Sequence, residues 1–103
     1  MHAFGRGTNL HALWDTGLIQ NWPGGPPELL SELSRIRAPT SDTTAPAQWA
    51  EESCRIVAAA GFYPSGHKIG ADYLQRMVPT LKERLAVAGR RLATLLNNSF
   101  AGP

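Results

Sequence analysis

The sequence predicts a small all-α protein of about four helices, and three observations support that fold class. The chain has 103 residues, of which 43% are hydrophobic and 17% charged, a composition typical of one globular domain. Apolar residues recur at helical spacings of three and four, most clearly between Leu74 and Leu96. No alternating, strand-like pattern persists beyond a few residues, and glycine and proline mark the loops.

The first helix is predicted to begin beside a capping residue. Residues 1–7 are rich in glycine and are expected to be irregular or extended. Thr8 or Asn9 then offers an N-cap, whereas Thr16 and Gly17 leave the C-terminal end of the helix undefined. The residues that follow the helical period are Leu10, Leu13, Trp14 and Ile19.

The second and third helices are separated by the one linker-like segment, residues 37–46. Before it, the Gly/Pro loop 21–27 places Pro27 in the first turn of a helix. After it, a helix is expected to start near Thr44, to hold Pro46 in its first turn and to end at Gly61. The residues on the helical period are Leu29, Leu30, Leu33 and Ile36 in the second helix, and Trp49, Ser53, Ile56, Val57 and Ala60 in the third.

The last helix is predicted to be the longest and to be kinked at Pro79, which removes one backbone hydrogen bond. Its apolar stripe is wide enough to need a partner surface. No run approaches eighteen apolar residues, so neither a transmembrane helix nor a membrane partner is expected. The stripe consists of Leu74, Met77, Val78, Leu81, Leu85, Ala88, Leu92, Leu95 and Leu96.

The tryptophans and the single cysteine are predicted to be structural. Trp14 and Trp49 are expected to anchor the core, whereas Trp22, in a Gly/Pro loop, fits either an exposed position or a lid over the core. Cys54 lies inside the third helix without a neighbouring histidine, so we expect a buried thiol rather than a nucleophile.

His11 and Asp15 are the residues most suited to chemistry. They are four residues apart on the first helix, so their side chains share one face. Zinc accepts both donors, but a structural zinc site needs four protein ligands and a catalytic one three. Asp42, His67 and His2 are the local additions, and none has diagnostic spacing. The same spacing also fits a His–Asp pair on the surface that only stabilises the helix.

A basic flank on the last helix allows two interpretations. It consists of Lys82, Arg84, Arg90 and Arg91. Cations near a helix C-terminus are favoured by the helix dipole, which explains a solvated face. A nucleic-acid-binding face centred on Arg90 and Arg91 is the alternative, and it predicts steep salt dependence. The formal net charge of +2 does not decide between them.

Four segments of the chain resemble the S1/P1 nuclease family. The most specific is TNLHALWDTGLI (residues 8–19), which resembles the family's NLHxxWD segment. Three weaker landmarks follow in the order that the family has them: WAEES (49–53), FYP (62–64), and Pro79 followed by AGRRLATLLN (88–97). Together they extend over most of the chain.

The resemblance implies a fold and a chemistry. Members of the family are zinc-dependent nucleases that hydrolyse single-stranded DNA and RNA to 5′-nucleotides, on a helical fold similar to zinc phospholipase C with three zinc ions. By this resemblance, His11 and Asp15 bind one of those ions. The family's other ligands belong to upstream segments without a counterpart here, so this chain alone does not supply a full three-zinc centre.

The resemblance therefore covers the C-terminal part of a nuclease domain. Residues 1–103 are predicted to form one helical unit that is incomplete, with no catalytic residue of its own and no activity in isolation. A missing N-terminal part or a second copy would supply the other ligands. Family members are secreted or periplasmic, whereas no export signal is visible at the start of this sequence.

A function of another class stays open on the sequence. The apolar stripe also suits a non-catalytic helical module that docks on a partner. An exposed apolar surface or oligomerisation would favour that module, whereas a preformed His11–Asp15 pair facing a cleft would favour the nuclease.

Overall fold

The computed structural model describes residues 2–3, 6–37, 46–64, 66 and 69–101, and it confirms the all-α prediction. A short ribbon precedes the helices, with β1 (His2–Ala3) antiparallel to β2 (Arg6–Gly7). Helix α1 is continuous, with α-helical turns at Leu10–Ala12 and Leu18–Gln20 around a π-helical segment, Leu13–Gly17. The other helices are α2 (Pro26–Ser34), α3 (Pro46–Ala58) and α4 (Ala71–Phe100).

Helix α1 begins as its capping residue predicts and continues past Gly17, where the sequence left its end undefined. Asn9 is the N-cap, in an extended conformation, and its side-chain oxygen accepts a hydrogen bond from Ala12 N at 2.7 Å. Gly17 does not end the helix, because a π-helical turn carries the chain through it to Gln20.

Two glycines set the start of α2. Gly24 and Gly25 have φ values of 85° and 82°, in the left-handed region that side chains disfavour. A Cβ at Gly24 would also lie 2.9 Å from Glu28 Cβ, so this turn requires glycine. The prolines that follow occupy the first turn, as predicted, and α2 starts at Pro26.

The core lies between α1, α2 and the N-terminal half of α4. Trp22, one of its members, covers the core as a lid, 8% exposed, and its Nε1 donates to Glu32 Oε2 at 2.5 Å. Leu30 follows the helical period of α2 but is 69% exposed, because Leu29 occupies the core position beside it. The buried cluster consists of Leu13, Leu18, Trp22, Leu29, Ile69, Tyr73 and Leu81.

Helix α3 shows that the prediction of a buried Cys54 is wrong. No residue of α3 is fully buried, and its half-buried side chains Trp49, Glu52 and Ile56 form one narrow face. Cys54 lies on the opposite face and is exposed. Gly61 also does not directly follow the helix, which ends at Ala58; Gly61 instead adopts a φ of 90° in the next turn.

Polar contacts, which we call the Glu52 network, join α3 to α4. Arg91 donates from one terminal nitrogen to both oxygens of Glu52, at 2.9 and 2.6 Å. Arg84 donates to the same carboxylate at 3.3 Å, and the Arg91 guanidinium lies 5.1 Å from the centre of the Trp49 ring. These hydrogen bonds, above all those from Arg91, hold the pKa of Glu52 below its ordinary value of 4.5.

Only part of the predicted stripe on α4 is covered. Leu81 is buried and Leu74, Met77, Val78 and Leu85 are half-buried, whereas the residues of the stripe from Ala88 onward are exposed. Pro79 lies within α4, which continues on both sides of it. The exposed apolar residues in this C-terminal part are Leu92, Leu95, Leu96 and Phe100.

The remaining predictions about organisation concern residues outside the described set. Residues 38–45, most of the linker-like segment and including Thr44, lie outside it, as do His67 and Asp42. Among the helices that are described, none has the length and apolar character needed to cross a bilayer.

Candidate metal centre

His11 and Asp15 face each other on the outer side of α1. His11 Nε2 lies 2.8 Å from Asp15 Oδ2, and the two side chains are 85% and 64% exposed. The predicted i, i+4 pair is therefore preformed. Its exposure leaves both donors accessible to an ion from solvent.

The π-helical segment lies between the polar pair and the core. The Leu18 N–H donates to Leu13 O, five residues back, so this turn holds one more residue than an α-helical turn. Single π turns inside α-helices are frequent at functional sites. Leu13 and Leu18 are buried on one side of the helix, while His11 and Asp15 point outward on the other. The core thus fixes the helix that carries the polar pair.

Tyr73 connects α1 to the turn after α3. Trp14 Nε1 donates to the Tyr73 hydroxyl at 3.1 Å, and that hydroxyl donates to the backbone oxygen of Phe62 at 2.5 Å. Burial raises the pKa of Tyr73 above 10.0, against the smaller opposing effects of the Trp14 hydrogen bond and the charge of Arg76. The hydroxyl therefore keeps the proton that it donates to Phe62.

Trp14 has a different position from the one expected. It is half-buried rather than a central core residue, and its ring stacks on Phe62 with centroids 5.2 Å apart and planes at 26°. A groove of about 330 Å³ opens at this point. Its lining residues are Leu10, His11, Trp14, Asp15, Phe62 and Tyr63. The polar pair therefore stands at the edge of an aromatic groove.

The donor set fits zinc as a partial site. Two ligands at zinc bond lengths of about 2.0–2.2 Å in tetrahedral geometry lie roughly 3.3 Å apart. The His11 and Asp15 donors are 2.8 Å apart, so a small rotation of two exposed side chains would open them far enough. Within the described ranges, no group of three or more His, Cys, Asp or Glu side chains is placed to hold a metal. His67 and Asp42 are outside those ranges, and the side chain of His2 is not described.

The basic flank of α4 binds neighbouring elements of the same chain. Arg84 and Arg91 contact Glu52, and Arg90 donates to the backbone oxygen of Ile36 at 2.7 Å. Lys82 lies 3.5 Å from Glu32 Oε1 and 5.7 Å from the centre of the Trp22 ring. These contacts assign Lys82, Arg84 and Arg91 to packing between helices, and Arg90 to the segment that follows α2. They do not favour a nucleic-acid-binding face on Arg90 and Arg91.

The hydrogen bond between Trp14 and Tyr73 is a feature of this site that was not predicted from the sequence. The Trp14–Tyr73 hydrogen bond joins residues 59 positions apart, and no local pattern distinguishes Tyr73 from other residues near the start of a helix. The neighbouring segment 62–64 did carry a signal, because it is one of the four family-like landmarks. Two of those landmarks, residues 8–19 and 62–64, come together at the groove.

The family model described as S1/P1 Nuclease matches residues 1–101, nearly the whole chain. No curated protein matches the chain.

Proposed function

The chain belongs to the S1/P1 nuclease family, and from that premise we propose that His11 and Asp15 are two ligands of a zinc ion used in phosphodiester hydrolysis. The substrates are single-stranded DNA and RNA, and the products are 5′-nucleotides. The observation that carries the proposal is the preformed His11–Asp15 pair at the edge of a groove.

The described residues have a limited part in that chemistry. His11 and Asp15 would hold the ion, and α1 would orient them through Leu13 and Leu18 in the core. When bound, zinc lowers the pKa of a coordinated water and neutralises charge on phosphate oxygens. The described residues supply two protein ligands, fewer than the three of a typical catalytic site. We therefore propose that this chain alone is inactive, and that a missing nuclease part or a second copy completes the centre.

Zinc binding tests the assignment of the two ligands. Calorimetry on the purified chain is expected to show one zinc ion bound with a Kd in the micromolar range or below. His11→Ala and Asp15→Ala should each weaken binding at least tenfold, because a single remaining donor does not chelate.

Glu51→Ala is the matched control for this experiment. Glu51 is also an exposed carboxylate in an i, i+4 pair, with Arg55 at 3.8 Å, so its removal changes the charge equally without touching the site. Unchanged zinc affinity is expected for Glu51→Ala. Zinc binding that is absent in the wild type, or equal in all four proteins, would contradict the assignment.

The exposed end of α4 favours a second function, that of a module that binds a partner. Leu92, Leu96 and Phe100 recur at intervals of four on one side of the helix and are 58%, 46% and 81% exposed. An apolar row of this kind on a surface is typical of an interaction site.

Sedimentation velocity tests the second function in its simplest form, self-association. Wild-type chain is expected to form larger species as its concentration rises, because association buries the apolar row. The double substitution Leu92→Ser and Leu96→Ser should keep the chain monomeric, whereas Asn98→Ser, an exposed polar control on the same helix, should not. A wild type that stays monomeric at every concentration would contradict self-association.

A further inference from the structure

Three aromatic side chains lie in a row beside the candidate metal centre. Trp14 stacks on Phe62, and Phe62 meets Tyr63 edge to face, with ring centroids 5.3 Å apart and planes at 82°. The inner two are half-buried, whereas Tyr63 is 65% exposed. The row thus ends at the Tyr63 ring, which contacts Phe62 on one side and solvent on the other.

The backbone next to Tyr63 is held by a hydrogen bond from the core. The backbone oxygen of Phe62, the residue before it, accepts the hydrogen bond from the Tyr73 hydroxyl. Tyr73 is 3% exposed and belongs to the core. An exposed aromatic ring on a backbone held in this way loses little freedom when a flat ligand stacks on it.

Tyr63 and the His11–Asp15 pair line the same groove, of about 330 Å³. A ligand that contacts Tyr63 and also a cation held by His11 and Asp15 needs two groups. One is a planar π system, and the other, a short distance away, is a group that the cation attracts. A nucleotide has both, in its base and its phosphate. Aromatic rings bind bases of single strands with little dependence on sequence, because every base has a π face.

We propose that Tyr63 is a base-stacking platform for one nucleotide of a single-stranded nucleic acid. The inference rests on the proposed function for its substrate class and adds a binding residue to it. Trp14 and Phe62 support the platform, and the phosphate next to the stacked base lies toward His11 and Asp15.

Oligonucleotide binding tests the platform. The probes are a fluorescently labelled hexathymidylate and an abasic strand of the same length and charge, followed by anisotropy at constant salt. The wild type is expected to bind the strand with bases about tenfold more tightly, the usual effect of one stacked base. Tyr63→Ala should remove that difference, whereas Tyr63→Phe should keep it, because the ring does the stacking.

A control variant, and measurements with and without zinc, separate this inference from the proposed function. Leu30→Ala removes another exposed apolar side chain, on α2, and should leave the preference for bases intact. Without zinc, the difference between the two strands reports on the platform alone. Added zinc should strengthen binding of both strands equally if the proposed metal site is right. Equal affinity of the wild type for both strands, or a preference that survives Tyr63→Ala, would overturn the platform whatever zinc does.

Discussion

Replacement of Leu13 by alanine is expected to lower the free energy of unfolding by about 2–5 kcal/mol, the usual cost of a truncated core leucine. Leu13 is the most deeply buried large side chain described, at 1% exposure. It belongs to the cluster that joins α1, α2 and α4, so the cavity would open where three helices meet. Domains of this size have a total stability of about 5–15 kcal/mol, so the loss is a large share.

The position of Leu13 gives the substitution a second consequence. Leu13 lies between His11 and Asp15 in sequence and begins the π-helical segment. Its Cδ1 is 3.4 Å from the point where a Cβ would stand on Gly17, so the inside of that turn is already close-packed. Loss of the Leu13 side chain should loosen the turn. We therefore expect weaker zinc binding in Leu13→Ala even where the variant is still folded.

Urea unfolding measures the first effect, and Leu30→Ala is its control. Leu30 is also a helical leucine, but it is 69% exposed, so its truncation should change the stability by less than about 0.5 kcal/mol. The midpoint should fall in Leu13→Ala with little change in slope. Similar losses in the two variants would mean that the core is not centred on Leu13.

Local signals predicted the parts of the fold that depend on neighbours in sequence. Asn9 caps α1 because its side chain reaches a backbone N–H three residues ahead, a contact that needs no other element. His11 and Asp15 pair for the same reason, since four residues on a helix bring their side chains together. The π turn through Gly17 was not predicted, because its stabilisation comes from the burial of Leu13 and Leu18.

Apolar periodicity did not predict burial correctly where the neighbouring helices decide which side of a helix is covered. Leu30 and Val57 both follow the helical period of their helices, yet both are exposed, because the structure packs another side of each helix. The stripe of α4 shows the same limit along its length. Its pattern continues through Leu96, but coverage by α1 and α2 stops earlier. A sequence pattern shows that a face is apolar, and only the fold shows how far it is buried.

Glu52→Gln is expected to release α3 from α4 while the core stays folded. Helix α3 has no fully buried residue, so its attachment depends on the Glu52 network more than on apolar area. A neutral amide keeps the shape of the side chain but loses the charge that faces Arg84 and Arg91. Arg91 is only 12% exposed, so its cation would then stand without a counter-charge in a place with little water.

Hydrogen exchange of the backbone amides of α3 measures this release. Peptides from α3 should lose their protection in Glu52→Gln, whereas peptides from α1 and α4 should keep it. Glu51→Gln is the control, because Glu51 precedes Glu52 in the same helix but pairs with the exposed Arg55, at 3.8 Å. Protection of α3 that is equal in both variants would show that apolar contacts alone hold the helix.

The same detachment should follow from acid in the wild-type chain. The pKa of Glu52 is lower in the folded chain than its ordinary 4.5, chiefly because Arg91 donates hydrogen bonds to the charged carboxylate. The stabilisation from this group is therefore complete above the unfolded-state pKa and is lost as the pH falls through the lower folded-state value. Protection of α3, referred to the intrinsic exchange rate at each pH, should decline below pH 4.5 before that of α1. In Glu52→Gln this acid-dependent step should be absent, because the residue no longer titrates. A step of equal size in both proteins would assign the acid sensitivity to another carboxylate.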